Sequence, residues 1–261
     1  MISFLNHYYL IHIQYLGFRF HGWAKQPAVK TVHHMIDRTL SYVFEEKKYK
    51  TLGGSRTDAM VSANHFAFEL FVTEPLDEEV FLKDFNLNLP ADIRAIAIEQ
   101  VDETFNIIQN PRTKEYIYLF AFGEKPHPFS APFVCTLPDD LNIELMQQGA
   151  KLFEGAHHFG AYCKKPNERT QVNRSVDLSE IRVNELLTAS FFPQNTYTYH
   201  VSAKGFLRNQ IRIMIGQLFR LGRGEISLEY LERSLRPDFE EHLSYIAPAS
   251  GLMLHKIDFD R

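Results

Sequence analysis

Gly53-Gly54-Ser55-Arg56-Thr57-Asp58-Ala59-Met60-Val61-Ser62-Ala63 runs directly into Asn64-His65-Phe66-Ala67-Phe68-Glu69-Leu70. The paired glycines let the backbone bend sharply or approach another segment closely. Phe66, Phe68 and Leu70 then recur at period two, the signature of a half-buried strand. The stretch therefore delivers an ionisable pair, Arg56 and Asp58, at the edge of a sheet. On the loop alone two readings of Asp58 stand: a residue that closes a turn through its own backbone, or a carboxylate held ready for chemistry.

Upstream, Tyr8 to Tyr15 is aromatic and β-branched, with Tyr9, Ile11, Ile13 and Tyr15 on one face of a first strand. Leu16-Gly17-Phe18-Arg19-Phe20-His21-Gly22-Trp23, followed by Gln26-Pro27, is a loop holding the single tryptophan. Thr31 is a candidate N-cap, and Val32, Met35, Ile36, Leu40, Val43 and Phe44 follow at helical spacing. A short strand over Tyr49 to Leu52 leads into the glycine turn. Downstream of the strand at Ala63 to Val72, a helix is expected over Leu76 to Leu87 with Val80, Phe81 and Phe85 inward. Leu89-Pro90-Ala91-Asp92 breaks it, and a fourth strand follows from Ile93 to Glu99. The order β-α-β-β-α-β predicts an α+β fold of the ferredoxin-like kind.

The remainder repeats that order without repeating its sequence. Tyr116, Tyr118, Phe120 and Phe122 share a face of a strand over Lys114 to Phe122. Four prolines between Gly123 and Pro138 mark an irregular loop. A helix capped by Asp140 and running to Phe153 comes next, followed by a polar excursion through His157-His158 and Lys164-Lys165. Strands at Val176 to Asn184 and Tyr197 to Ala203 precede a helix over Leu207 to Leu221, a shorter one over Leu228 to Leu235, and a last strand, Leu252 to Phe259. In the long helix Leu207, Ile211, Met214, Ile215 and Leu218 form the buried stripe. Arg212 falls at its margin, where its charge either takes a carboxylate partner or, like Arg208 four residues before it, snorkels to solvent. Residues 1–104 and 105–261 are the expected halves.

Composition bounds the function. With 261 residues and 45% hydrophobic side chains the chain has ample material for a core. A net charge of −4, from 28 basic and 32 acidic residues, announces no polyanion partner, although the basic residues can still gather on one face. The two cysteines, Cys135 and Cys163, are too far apart for a CxxC site and give no disulfide framework, which fits a reducing compartment. Met1-Ile2-Ser3-Phe4-Leu5-Asn6-His7 lacks the pattern of a leader, and no run reaches the ~18 apolar residues of a membrane span. A cytoplasmic protein is expected. His33-His34 and His157-His158 are not metal sites by spacing, because adjacent residues on a helix diverge by about 100°. Gly222-Arg223-Gly224 reads as a helix cap rather than a phosphate loop.

Read together, these motifs resemble the tRNA pseudouridine synthases of the TruA type. The resemblance rests on Tyr15-Leu16-Gly17 through Gly22-Trp23 and Gln26-Pro27, on Thr31-Val32, and above all on Arg56-Thr57-Asp58-Ala59. Leu89-Pro90-Ala91-Asp92-Ile93, Tyr116-Ile117-Tyr118, Arg212 through Gly216, Ala247-Pro248 and Gly251-Leu252 extend it from about Tyr9 to the carboxy terminus. It implies two ferredoxin-like halves forming a joined, largely antiparallel sheet with helices on one side and a central cleft, commonly in a homodimer. It also implies an isomerase in which Asp58 is the catalytic aspartate, Tyr116 stacks on the target base and Arg212 pairs with the aspartate. Arg56 matches an RNA-contacting arginine, and Arg208, Trp23 and Lys25 are further RNA-binding candidates. Conversion of uridine to pseudouridine breaks the C1′–N1 bond and rejoins the base through C5. It gains no atom and transfers no electron, so the expectation is no cofactor and no metal. A carboxylate acting at the sugar is needed, by attack at C1′ or by removal of the 2′ proton.

The chain departs from the family pattern at several places. Where Gly-Val-His-Ala usually follows the Arg-Thr-Asp-Ala motif, this chain has Met60-Val61-Ser62-Ala63. Leu16 and Ala24 replace an aspartate and a glutamine, and Phe105-Asn106-Ile107-Ile108 lacks an arginine. These changes leave a rival reading, an RNA-binding paralogue without catalysis.

Overall fold

The computed structural model describes residues 5–260; Met1-Ile2-Ser3-Phe4, part of the stretch read above for a leader, lies outside them. The chain is a mixed α+β protein with mostly antiparallel strand pairing. It divides into two compact units, one running to Arg112 and taking in the chain again from Leu254, the other spanning Thr113–Met253.

In the first unit β1 (His7–Tyr15), α1 (Val32–Phe44), β2 (Tyr49–Gly53), β3 (Ser62–Val72), α2 (Glu78–Asn88) and β4 (Ile93–Val101) follow the expected order. β1 lies between β4 and β3, and β2 pairs with β3, every pairing antiparallel. The register sets Tyr9 against Leu70, Ile11 against Phe68 and Ile13 against Phe66. Because side chains alternate across a strand, that register gathers both apolar stripes on one face. There they meet Val32, Ile36, Leu40 and Phe44 of α1 and Phe81 and Phe85 of α2, all buried. Stacked rings continue the contact, Phe44 on Phe81 at 5.6 Å and Phe81 on Phe85 at 5.4 Å. The helices begin where side chains satisfy their first free N–H groups: Thr31 accepts from His34, and Asp77 accepts from Val80.

The second face of β3 is covered too. Leu10, Ala67, Ile107 and Ile257 form a separate cluster there. Glu69 is only 2% exposed among them and accepts from the Ile107 N–H at 3.2 Å. Strand periodicity alone assigns Glu69 to solvent. Its burial comes from the turn at 105–108, about 38 residues further on in sequence.

The second unit is built from β5 (Pro111–Phe122), β6 (Cys135–Leu137), α3 (Ile143–Lys151), β7 (Gly155–His158), β8 (Asn173–Val176), β9 (Leu178–Val183), β10 (Tyr197–Ala203), α4 (Gln210–Gly222) and α5 (Leu228–Arg233); β11 (Leu252–Phe259) ends the chain. β10 lies between β5 and β9, antiparallel to both, while β6 runs parallel beside the end of β5. Tyr118, Phe120 and Tyr199 from these strands and Met146, Ala150, Leu218 and Phe219 from the helices are fully buried. The Tyr199 and Ser179 hydroxyls lie 2.9 Å apart, and Ser179 donates onward to Ala150 O, so neither polar group is stranded.

Four expectations are corrected, the first being Val80, which is not inward but 55% exposed on α2. α3 is capped by Asn142, which accepts from Leu145, and not by Asp140. The stretch read as a proline loop contains β6, and the polar excursion contains the antiparallel pair β7 and β8. Gly224 has φ +73° just past α4, the left-handed cap expected there.

Burial raises the Glu69 carboxyl above its usual value of 4.5, with the Ile107 N–H and Lys50 opposing. The folded state holds this proton more tightly than the unfolded chain, so its contribution is full below about pH 4.5 and is lost as pH rises through the raised value. Glu69→Gln keeps an acceptor for Ile107 and removes the charge. Its Tm in thermal melts is expected to exceed that of the wild type at pH 7–8, with the difference closing toward pH 4.

Candidate active-site loop and its counterpart elements

Asp58 lies between β2 and β3, and two backbone hydrogen bonds to the loop after β1, with a third inside its own turn, fix its segment. Trp23 N donates to Thr57 O at 3.3 Å, Met60 N donates to Phe20 O at 2.9 Å, and Val61 N returns to Asp58 O at 3.3 Å. Glycines permit the close approach. A Cβ on Gly17 would overlap the Val61 carbonyl, and one on Gly22, whose φ is +82°, would overlap Thr57 O. Side chains lock the same interface, with the Tyr15 hydroxyl 3.0 Å from Thr57 Oγ1 and the Gly17 N–H donating to Ser62 Oγ at 3.0 Å. The serine that stands at the family's usual histidine thus has a structural role of its own.

Within this frame Asp58 is half-buried and Arg56 exposed. Trp23 is corrected as an RNA-facing candidate. At 3% exposure its indole packs 5.0 Å from His33 and 4.1 Å from Phe66, beneath Gly53, where any side chain would overlap it. It supports the loop from below and offers no open face. Lys25 is half-exposed and ion-paired with Asp37. Asp37 also accepts from Thr51 Oγ1 at 2.7 Å, and His33 Nε2 lies 2.8 Å from that hydroxyl. Since Thr51 gives its proton to Asp37, His33 Nε2 is the donor to Thr51. Burial, with Lys25 adding to it, pushes His33 down to about 4, so the imidazole donates as a neutral group.

The remaining candidates belong to the second unit. Tyr116 stands on β5 opposite Val201, 7% exposed, with the Phe206 ring edge-on at 5.5 Å. Arg212 is half-buried in the first turn of α4. Its Nε donates to Ala247 O at 2.8 Å, and Ala247 N donates to Arg212 O at 3.0 Å. One turn on, a Cβ at Gly216 would lie 2.9 Å from Tyr245 O, so only glycine lets residues 245–247 pack this closely on the helix. Tyr118 donates to Pro248 O at 2.8 Å and Gly251 N–Cα backbone packs on Leu119 O. Arg208 is exposed and its carbonyl accepts from Lys164 N. Phe206 carries no sequence signal for a site, whereas Ala247 belongs to the Ala247-Pro248 motif.

Among the described residues no group of three or more His, Cys, Asp or Glu side chains is arranged to hold a metal ion, and no helix is long and apolar enough to cross a membrane.

A family model described as tRNA pseudouridine synthase matches residues 150–260. The tRNA pseudouridine synthase A of Dictyoglomus thermophilum is 31% identical over 251 residues, covering 95% of this chain and 98% of that protein. That of Aquifex aeolicus is 31% identical over 249 residues, covering 95% and 98%. The tRNA pseudouridine synthase A 2 of Bacillus cereus (strain ATCC 10987 / NRS 248) is 30% identical over 254 residues, covering 97% and 100%. Among solved structures, a Cbf5-Nop10-Gar1 complex aligns with 80% of this chain and 46% of that chain, at 17% identity and a TM-score of 0.34. With identity of this degree sustained from end to end, the chain belongs to the tRNA pseudouridine synthase A family.

Proposed function

We propose that this protein isomerises uridine to pseudouridine in tRNA, with Asp58 as the carboxylate that acts at the sugar. The observation that carries the reading is the clamped loop: in a member of this family, the Asp58 segment is held by two backbone hydrogen bonds, at Thr57 and Met60, against a glycine-bearing segment and by a third that closes its own turn. Such a fixed carboxylate pays little entropy when substrate arrives. The base must leave its stack, at a cost of a few kcal/mol, and Tyr116 offsets that cost by stacking on it. The family resemblance assigns to Arg212, which Ala247 orients, the role of the carboxylate's partner and to Arg56 that of an RNA contact, with Arg208 and Lys25 as further candidates for the phosphate backbone. The same reading takes residues 1–104 and 105–261 as ferredoxin-like halves. The antiparallel order β4-β1-β3-β2 supports the first, and β5-β10-β9 agrees with the second. It also takes the protein as a cytoplasmic homodimer that uses neither metal nor cofactor.

Asp58→Asn replaces the reacting oxygen and leaves the loop backbone alone. Incubated with undermodified tRNA, the wild type is expected to convert a defined uridine. Asp58→Asn is expected to lose at least ~10³-fold in rate while its tRNA Kd stays within about two-fold. Equal product from both proteins, or product from neither on total tRNA, contradicts the assignment. Gly17→Ala drives a methyl into the Val61 carbonyl. The displaced loop is expected to lower kcat about 10²-fold, the scale of a catalytic group moved by roughly 1 Å, with tRNA binding largely kept.

A further inference from the structure

Met60 is the third residue of the turn that Val61 N closes on Asp58 O, and its φ is +68°. In turns of this kind that position favours glycine or asparagine, because an L side chain there meets steric resistance. The other non-glycine residues with positive φ are Ala28, Glu45, Lys165 and Asn209 among those described, so Met60 is the one large apolar side chain in the group. The conformation is imposed from both sides. Met60 N is bonded to Phe20 O, and the Val61 carbonyl lies flat against Gly17, so the chain has no room to rotate out of it.

The side chain is also exposed. Val61 and Ser62 are buried at 1% and 8%, whereas Met60 stands at 36% beside an exposed Ala59, two residues from Asp58. Folding would be served better by glycine, which adopts this φ freely and shows no apolar surface to water. A non-glycine outlier at a functional loop points to a role in that function. A thioether is flexible and polarizable and packs well on aromatic faces. RNA presents such faces when a target nucleotide leaves its helix and its neighbours lose a stacking partner.

We propose that Met60 is a specificity-determining residue whose thioether packs against the nucleobase next to the uridine being isomerised. This rests on the assignment of Asp58 as the reacting carboxylate. The test compares Met60→Gly and Met60→Leu with the wild type in steady-state kinetics on undermodified tRNA. It also compares Asp58→Asn with the double variant Asp58→Asn/Met60→Gly in direct tRNA binding. Met60→Gly is expected to raise KM at least five-fold with kcat within two-fold, and to melt no lower than the wild type. Met60→Leu is expected to stay within two-fold on both constants. In the inactive background the glycine change is expected to weaken tRNA binding at least five-fold. An unchanged Kd in that background, or an unchanged KM for Met60→Gly, overturns the proposal, whatever happens to Tm. Because the binding comparison needs no turnover, it decides the role of Met60 even if wild type and Asp58→Asn prove equally inactive, the result that defeats the functional reading.

Discussion

The segment Gly17 to Trp23 lies directly against the segment Thr57 to Ser62, and the geometry of the carboxylate loop depends on that contact. Two glycines make it possible, since a Cβ on either would overlap a carbonyl oxygen of the opposite segment. Two backbone hydrogen bonds and the Gly17 N–H bond to Ser62 Oγ hold it. Beneath it Trp23 and Phe66 tie the loop to the face of the sheet that α1 and α2 cover. A loop anchored on a packed sheet can keep a half-buried carboxylate in one place, which a mobile loop cannot do without losing entropy on each binding event.

The second unit uses the same device on a different element. Arg212 sits on a helix, and its guanidinium and its carbonyl both engage Ala247. Gly216 lets the 245–247 segment come close enough for that exchange. The arginine is therefore aimed by a backbone contact, as Asp58 is, and the glycine-dependent packing explains why Arg212 to Gly216 and Ala247-Pro248 occur together as motifs. Long side chains lose much rotamer freedom when they are fixed. A backbone partner that bonds both ends of the residue supplies part of that restraint before substrate binds.

Much of this was legible in the sequence because it has a period. The stripes Tyr9-Ile11-Ile13-Tyr15 and Phe66-Phe68-Leu70 are period two, and α1 and α4 repeat at helical spacing; each has the buried face those patterns assign. What was not legible has no local signal. β6, β7 and β8 are three or four residues long and are strands only because a partner lies alongside. Glu69 reads as solvent-facing until Ile107 covers it. Trp23 stands in a loop, and nothing local says that Gly53 will close over its indole. The roles of Asp58, Tyr116 and Arg212 came from motif resemblance, while the constraint on Met60 became visible only as a backbone angle.

The central claim is that this chain forms pseudouridine in tRNA through Asp58. It is tested most directly by mapping pseudouridine across tRNA from cells that carry the gene, cells that lack it, and cells in which only the Asp58→Asn form is restored. The account predicts discrete uridines that are modified in the first population, unmodified in the second, and still unmodified in the third despite normal protein levels. Restoration of those modifications by Asp58→Asn, or an identical map in all three populations, would contradict it.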